Sequence, residues 1–142
     1  GREFLFYIAS LRQLPDASER ILSLATSIGI ADALDYEIGG YSKGMKQKIS
    51  LLAALMHSPR NLLLDEPIYG LDPLAARTMQ EFIKSRNGTT VIATHSTNLV
   101  ENIADIVYFL MHGHVIYSES TKSLLARFPS IEDAYFHYKD QG

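Results

Sequence analysis

Apolar positions follow a helical rhythm through the first third of the chain and change rhythm beyond residue 60. From Glu3 to Gln13 the apolar residues 4, 5, 8 and 11 form one helical stripe, which Pro15 closes. Asp16 is placed to cap a second helix. Glu19 completes a capping box, Ile21, Leu24, Ala25 and Ile28 form the apolar face, and Gly29 ends the helix. A short helical turn over 31–34 leads to the loop Gly39-Gly40-Tyr41. Ser42 is the next cap. Behind it Met45, Ile49, Leu52, Ala53 and Met56 recur at helical spacing, with Lys43, Lys46, Gln47 and Ser50 on the polar face, until Ser58-Pro59.

Beyond that point strands and helices alternate. Leu62-Leu63-Leu64 predicts a short buried strand ending at Asp65-Glu66. Asp72 caps a helix with Pro73 at its first position, running to Ser85. Asn87-Gly88 turns into a strand over Thr89–Thr94, Ser96–Ala104 is helical, and Ile106–Met111 is a strand. Gly113 allows a hairpin into Val115–Tyr117, Ser120 caps a helix to Arg127, and a last helix starts at Ile131. Strands separated by helices imply a parallel sheet with crossovers. The expected class is α/β, with a helical appendage ahead of the sheet.

Composition narrows the function classes. The 142 residues are 46% hydrophobic and 20% charged, which fits one globular domain with a real core. Thirteen Lys+Arg against sixteen Asp+Glu leave a net charge of −3, which argues against a broad nucleic-acid footprint. With no cysteine, disulfides, thiolate metal sites and thiol catalysis are excluded. The longest purely apolar runs, such as Phe4–Ala9 and Leu51–Met56, are far short of the roughly 20 residues of a membrane span.

The most specific stretch is Asn61-Leu-Leu-Leu-Asp65-Glu66-Pro67-Ile-Tyr-Gly70-Leu71-Asp72. A hydrophobic strand that delivers an aspartate at its carboxyl end is how P-loop nucleotidases hold Mg²⁺. That ion keeps several waters, so one carboxylate suffices. Glu66, one residue on, is placed to polarise an attacking water as a general base. Alone, such a pair reads equally as a solvated loop. Upstream stands Tyr41-Ser42-Lys43-Gly44-Met45-Lys46-Gln47-Lys48, and downstream Thr94-His95-Ser96. Alone, the first would be a capped amphipathic helix and the second a structural histidine.

In this order the motifs resemble the second half of an ABC-transporter ATPase: signature loop, Walker B with its glutamate, D-loop and switch histidine. The form of the signature is especially similar to prokaryotic ABC-2-type exporters. The resemblance covers residues 1–117. It implies a helical subdomain followed by the C-terminal half of a P-loop NTPase core with an incomplete, mostly parallel sheet. The divisions expected are 1–58, 59–117 and a C-terminal helical extension over 118–142. It also implies that Ser42 and Gly44 contact the γ-phosphate of a nucleotide held by a partner subunit. A serine cap with free amides at a helix N-terminus suits an anion. By the same resemblance Asp65 is the Mg²⁺ ligand, Glu66 the catalytic glutamate, Asp72 the D-loop aspartate at the dimer interface and His95 the γ-phosphate sensor. Tyr41, Lys43 and Met45 depart from the usual Leu-Ser-Gly-Gly-Gln.

The phosphate-cradling Gly-x-x-x-x-Gly-Lys-Ser/Thr is not found in these residues. After Gly39 and Gly44 comes Met45, and Lys46 stands one place late. By the family layout the P-loop strand, the adenine-stacking aromatic and the Q-loop are expected to precede Gly1, so this chain alone is expected not to turn over ATP. The implied whole is a cytoplasmic ATP- and Mg²⁺-dependent subunit, peripheral on the membrane through a permease and paired head to tail with a second ATPase subunit. The strands over Thr89–Thr94 and Ile106–Met111 would flank the P-loop strand, so their edges are expected to pair with each other or to drive self-association. Two other readings stay open. One is a soluble ABC-type ATPase of DNA repair or translation, and the other is a truncated interaction module without catalysis.

Overall fold

The computed structural model describes residues 1–139 and divides between Ala93 and Thr94 into two compact units. Residues 140–142, the end of the expected C-terminal extension, lie outside the described residues.

The first unit begins with α1 (Arg2–Leu11) and α2 (Ala17–Ser27). Two short 3₁₀ turns, Ala31–Ala33 and Ile38–Gly40, then lead to α3 (Lys43–Leu55). Helix α1 ends in a left-handed turn at Gln13 (φ 52°), where the Leu14 amide reaches back to the Ala9 carbonyl at 3.0 Å. Pro15 comes later and does not stop it. Asp16 does not cap α2 through its side chain. Its own backbone is left-handed (φ 53°), whereas a capping side chain reaches its amides from an extended backbone. Gly29 closes α2 at φ +67°, as its lack of a Cβ allows. Helix α1 packs on α2 and α3, and α2 on α3. Leu5, Ile21, Leu34, Leu52 and Met56 are fully buried in this unit.

Past α3 come β1 (Asn61–Asp65), α4 (Pro73–Ser85) and β2 (Thr89–Ala93). The strands pair in parallel, from Asn61 opposite Thr89 to Asp65 opposite Ala93. The crossover helix α4 buries Ala75, Met79 and Ile83, one stripe at fourfold spacing. Gly88 admits no side chain, since a Cβ there would run into the Arg60 carbonyl that accepts from the Thr89 amide at 2.9 Å. Leu62 is buried. Leu63 and Val91, paired across the ladder, are exposed.

The second unit holds α5 (Thr97–Ile103), β3 (Ile106–Met111), β4 (His114–Ser120), α6 (Thr121–Leu125) and α7 (Ile131–Lys139). Strands β3 and β4 form an antiparallel hairpin, turned by His112 (φ 50°) and Gly113 (φ 80°). Two left-handed residues match the twist of the strands they join. Strand β4 is longer than Val115–Tyr117 and α6 shorter than Ser120–Arg127. Val107 and Phe109 turn inward against Leu124, Ile131 and Ala134, while Ile106, Tyr108 and Leu110 are exposed. Tyr138 stacks on Tyr117 with ring centres 3.6 Å apart, and Arg127 ties Glu119 to both tyrosine hydroxyls. Sheet strands therefore group as β1 with β2 and β3 with β4, and β2 and β3 belong to different sheets. No helix of the described residues is long and apolar enough to cross a membrane.

Candidate functional site

The site in the first unit is built on two helix starts and one strand end. Tyr41 is buried and its hydroxyl donates to the Ala33 carbonyl at 2.6 Å, which pins the loop ahead of α3. Burial pushes its phenol above the ordinary range. Ser42 then caps α3. Its Oγ accepts from the Met45 amide at 3.2 Å, and the Lys46 amide makes the first intrahelical bond to the Ser42 carbonyl at 3.0 Å. The amides of Lys43 and Gly44 precede that bond, and the Ser42 hydroxyl proton remains available to an acceptor.

Asp65 is the last residue of β1 and is exposed. The Glu66 amide carries the ladder one step further, donating to the Ala93 carbonyl at 2.9 Å. Glu66 itself is left-handed, at φ 44°. This costs a non-glycine residue about 1 kcal/mol and turns the chain sharply out of the strand. Two donors meet its carbonyl, the Tyr69 amide at 3.1 Å and Gln47 Nε2 at 3.3 Å. The turn ends at Gly70 (φ +74°). Asp72 caps α4, its Oδ1 accepting from the Ala75 amide at 2.9 Å and its Oδ2 from Lys48 Nζ at 3.4 Å. The Ala75 amide, and after it Lys48, hold the Asp72 carboxyl below the usual carboxylate range.

Ser42, Gly44, Glu66 and Asp72 thus belong to one assembly, the start of α3 against the loop 66–72. A Cβ on Gly44 would stand 2.8 Å from the Gly70 carbonyl oxygen. His95 belongs to the second unit, where it is exposed ahead of Ser96, whose Oγ caps α5 by accepting from the Leu99 amide at 3.3 Å. Sequence reasoning missed Gln47 and Lys48 as partners of this loop, and missed Lys43, whose Nζ lies 4.1 Å from the centre of the Tyr69 ring. The signal was present as spacing: residues 43 and 47, and 44 and 48, are one helical turn apart.

Residues 3–69 match the ABC transporter family. The chain is 36% identical over 129 residues to the ABC transporter ATP-binding protein NatA of Bacillus subtilis, covering 87% of this chain and 52% of that protein. It is 33% identical over 127 residues to a fluoroquinolones export ATP-binding protein of Mycobacterium tuberculosis, with 87% and 42% covered. Over 80 residues it is 42% identical to the bacitracin transport ATP-binding protein BcrA of Enterococcus faecalis, with 54% and 26% covered. Among solved structures, the ATP-binding subunit of an ABC transporter superposes with a TM-score of 0.87 at 25% identity, over 97% of this chain and 61% of that one. The chain belongs to the ABC transporter ATP-binding family, with the P-loop NTPase fold. It spans about half or less of the length of these curated relatives.

Proposed function

We propose that the chain is the helical subdomain and C-terminal half of an ATP-hydrolysing subunit that energises export across a membrane. The observation that carries this reading is the assembly of a capped helix start with a strand-end Asp-Glu pair, in a chain similar to ATP-binding proteins named for export. Asp65 fits Mg²⁺: its carboxylate is exposed at the strand end, and an ion that keeps waters and phosphate oxygens needs no protein cage. Among the described residues no group of three His, Asp or Glu could hold a metal, so a caged cation does not suit the loop. Bound Mg²⁺ would supply neutralisation of phosphate charge.

The remaining chemistry belongs to the chain. Glu66 takes a proton from the attacking water. The Ser42 hydroxyl and the amides of Lys43 and Gly44 offer donors to a phosphate presented by a second, head-to-tail subunit. Asp72 faces that same interface, and His95 donates to the γ-phosphate. A membrane permease is the partner that receives the work, which makes the protein cytoplasmic and peripheral. The limits 1–58, 59–117 and 118–142 for helical subdomain, partial core and extension belong to this proposal.

In the complete subunit, Glu66→Gln is expected to lower ATP hydrolysis by about 10²–10⁴-fold with ATP binding retained. Near-normal turnover would remove Glu66 as the base. The chain is further expected to self-associate through the strands over Thr89–Thr94 and Ile106–Met111, on which Val91, Ile106, Tyr108 and Leu110 are exposed. Light scattering over a dilution series tests this, and a compact monomer at high micromolar concentration overturns it.

A further inference from the structure

The geometry points to Lys43 and Tyr69 as a positioning pair that clasps the first turn of α3 to the loop 66–72 and so sets the aim of Glu66 and Asp72. This inference rests on the hydrolase reading. Residues 43, 44, 47 and 48 of α3 face the loop as one stripe. Gln47 Nε2 meets the Glu66 carbonyl at 3.3 Å and Lys48 Nζ meets Asp72 Oδ2 at 3.4 Å, while Gly44 leaves no room for a Cβ beside Gly70. Lys43 completes the stripe. Its Nζ lies 4.1 Å from the Tyr69 ring centre, and its Cδ and Cγ run 3.9 and 4.0 Å from where a Cβ on Gly70 would be.

The contact is between exposed groups, Tyr69 being 61% exposed, so no core packing accounts for it. Attraction of an ammonium to the ring face does. Lys43 is also the first residue of α3, where a cation opposes the helix dipole. Drawn over Tyr69, the ammonium leaves the amides at the helix start clear for an anion. Lys43, a departure from the family's signature, thus has a partner in the same chain.

The test uses the complete subunit with Lys43→Met, Tyr69→Leu, the double variant, and the conservative Lys43→Arg and Tyr69→Phe. Lys43→Met and Tyr69→Leu are each expected to lower kcat about two- to fivefold, the scale of an exposed cation–π contact, with KM for ATP within about twofold. The double variant should be no worse than either single, and the conservative pair should stay near wild type. The Lys43 ε-protons should show an upfield ring-current shift in NMR spectra that Tyr69→Leu abolishes. Additive losses, equal damage from Tyr69→Phe, or a loss confined to KM overturns the positioning role. Full turnover in Glu66→Gln defeats the hydrolase reading alone. In that event the ring-current shift decides the clasp by itself, and its absence overturns it.

Discussion

Replacing Gly44 with alanine sets two backbone effects against each other. Gly44 is the second residue of α3, and inside a helix alanine is favoured over glycine by about 0.5–1 kcal/mol, because glycine loses more freedom on folding. The new methyl, however, would stand 2.8 Å from the Gly70 carbonyl oxygen and 3.9 Å from its carbon. The obstacle is main chain, so no side chain can swing clear. Gly70 cannot retreat freely either, since it lies between the turn bonds Tyr69 N–H to Glu66 O (3.1 Å) and Leu71 N–H to Ile68 O (3.2 Å). Overpacking of this kind costs about 1–3 kcal/mol, so the clash wins and the net loss is about 0.5–2 kcal/mol. Urea unfolding reads it directly. With a slope near 2 kcal/mol/M, the midpoint should fall by about 0.3–1 M. Gly39→Ala is the control, because nothing lies within 4 Å of its Cβ, and it should leave stability unchanged or raise it by up to about 1 kcal/mol. If Gly44→Ala proves as stable as Gly39→Ala, helix α3 does not approach Gly70 as closely as described.

Two further predictions concern stability. Ser58 is exposed and left-handed (φ 49°), so Ser58→Gly should stabilise the chain by about 0.5–1 kcal/mol in the same urea assay, and a loss would show that the serine side chain does more than tolerate the turn. His57 has its Nδ1 shut away from solvent without a hydrogen-bond partner, and burial first, then the Arg12 charge, hold its pKa below the ordinary 6.5. The unfolded chain therefore takes up this proton at higher pH than the folded one. The stabilising contribution is complete above about pH 6.5 and declines as pH falls toward the lower folded value. Urea midpoints measured from pH 8 to 5.5 should slope less in His57→Gln than in wild type, and equal slopes would refute the assignment.

Much of the fold was legible because its signals are local. Ser42, Asp72, Ser96 and Ser120 each cap the helix that follows them, as an oxygen side chain on an extended backbone can. Asp16 carried the same residue type but failed, because its own backbone is left-handed, and no window of residue types encodes that angle. The site divides in the same way. Residues at element ends were readable from their neighbours in sequence. For Lys43, Gln47 and Lys48 the spacing showed only a shared helical face; their partners were not readable, because they depend on which loop, some twenty residues on, that face meets. His57 illustrates the remaining gap: one of its ring nitrogens is enclosed by tertiary packing, which the residues around it in sequence do not encode.

The left-handed backbone at Glu66 bears on what selection is acting upon. For folding alone, glycine is the best residue at φ 44°, asparagine and aspartate follow, and β-branched residues are the worst. A survey of all substitutions scored only for folded yield should therefore reward Gly at 66 and reject Val and Ile. Scored for turnover, the ranking should invert around the carboxylate. Position 66 is thus one where stability and activity ask for different amino acids, and the residue present is not the one folding would choose.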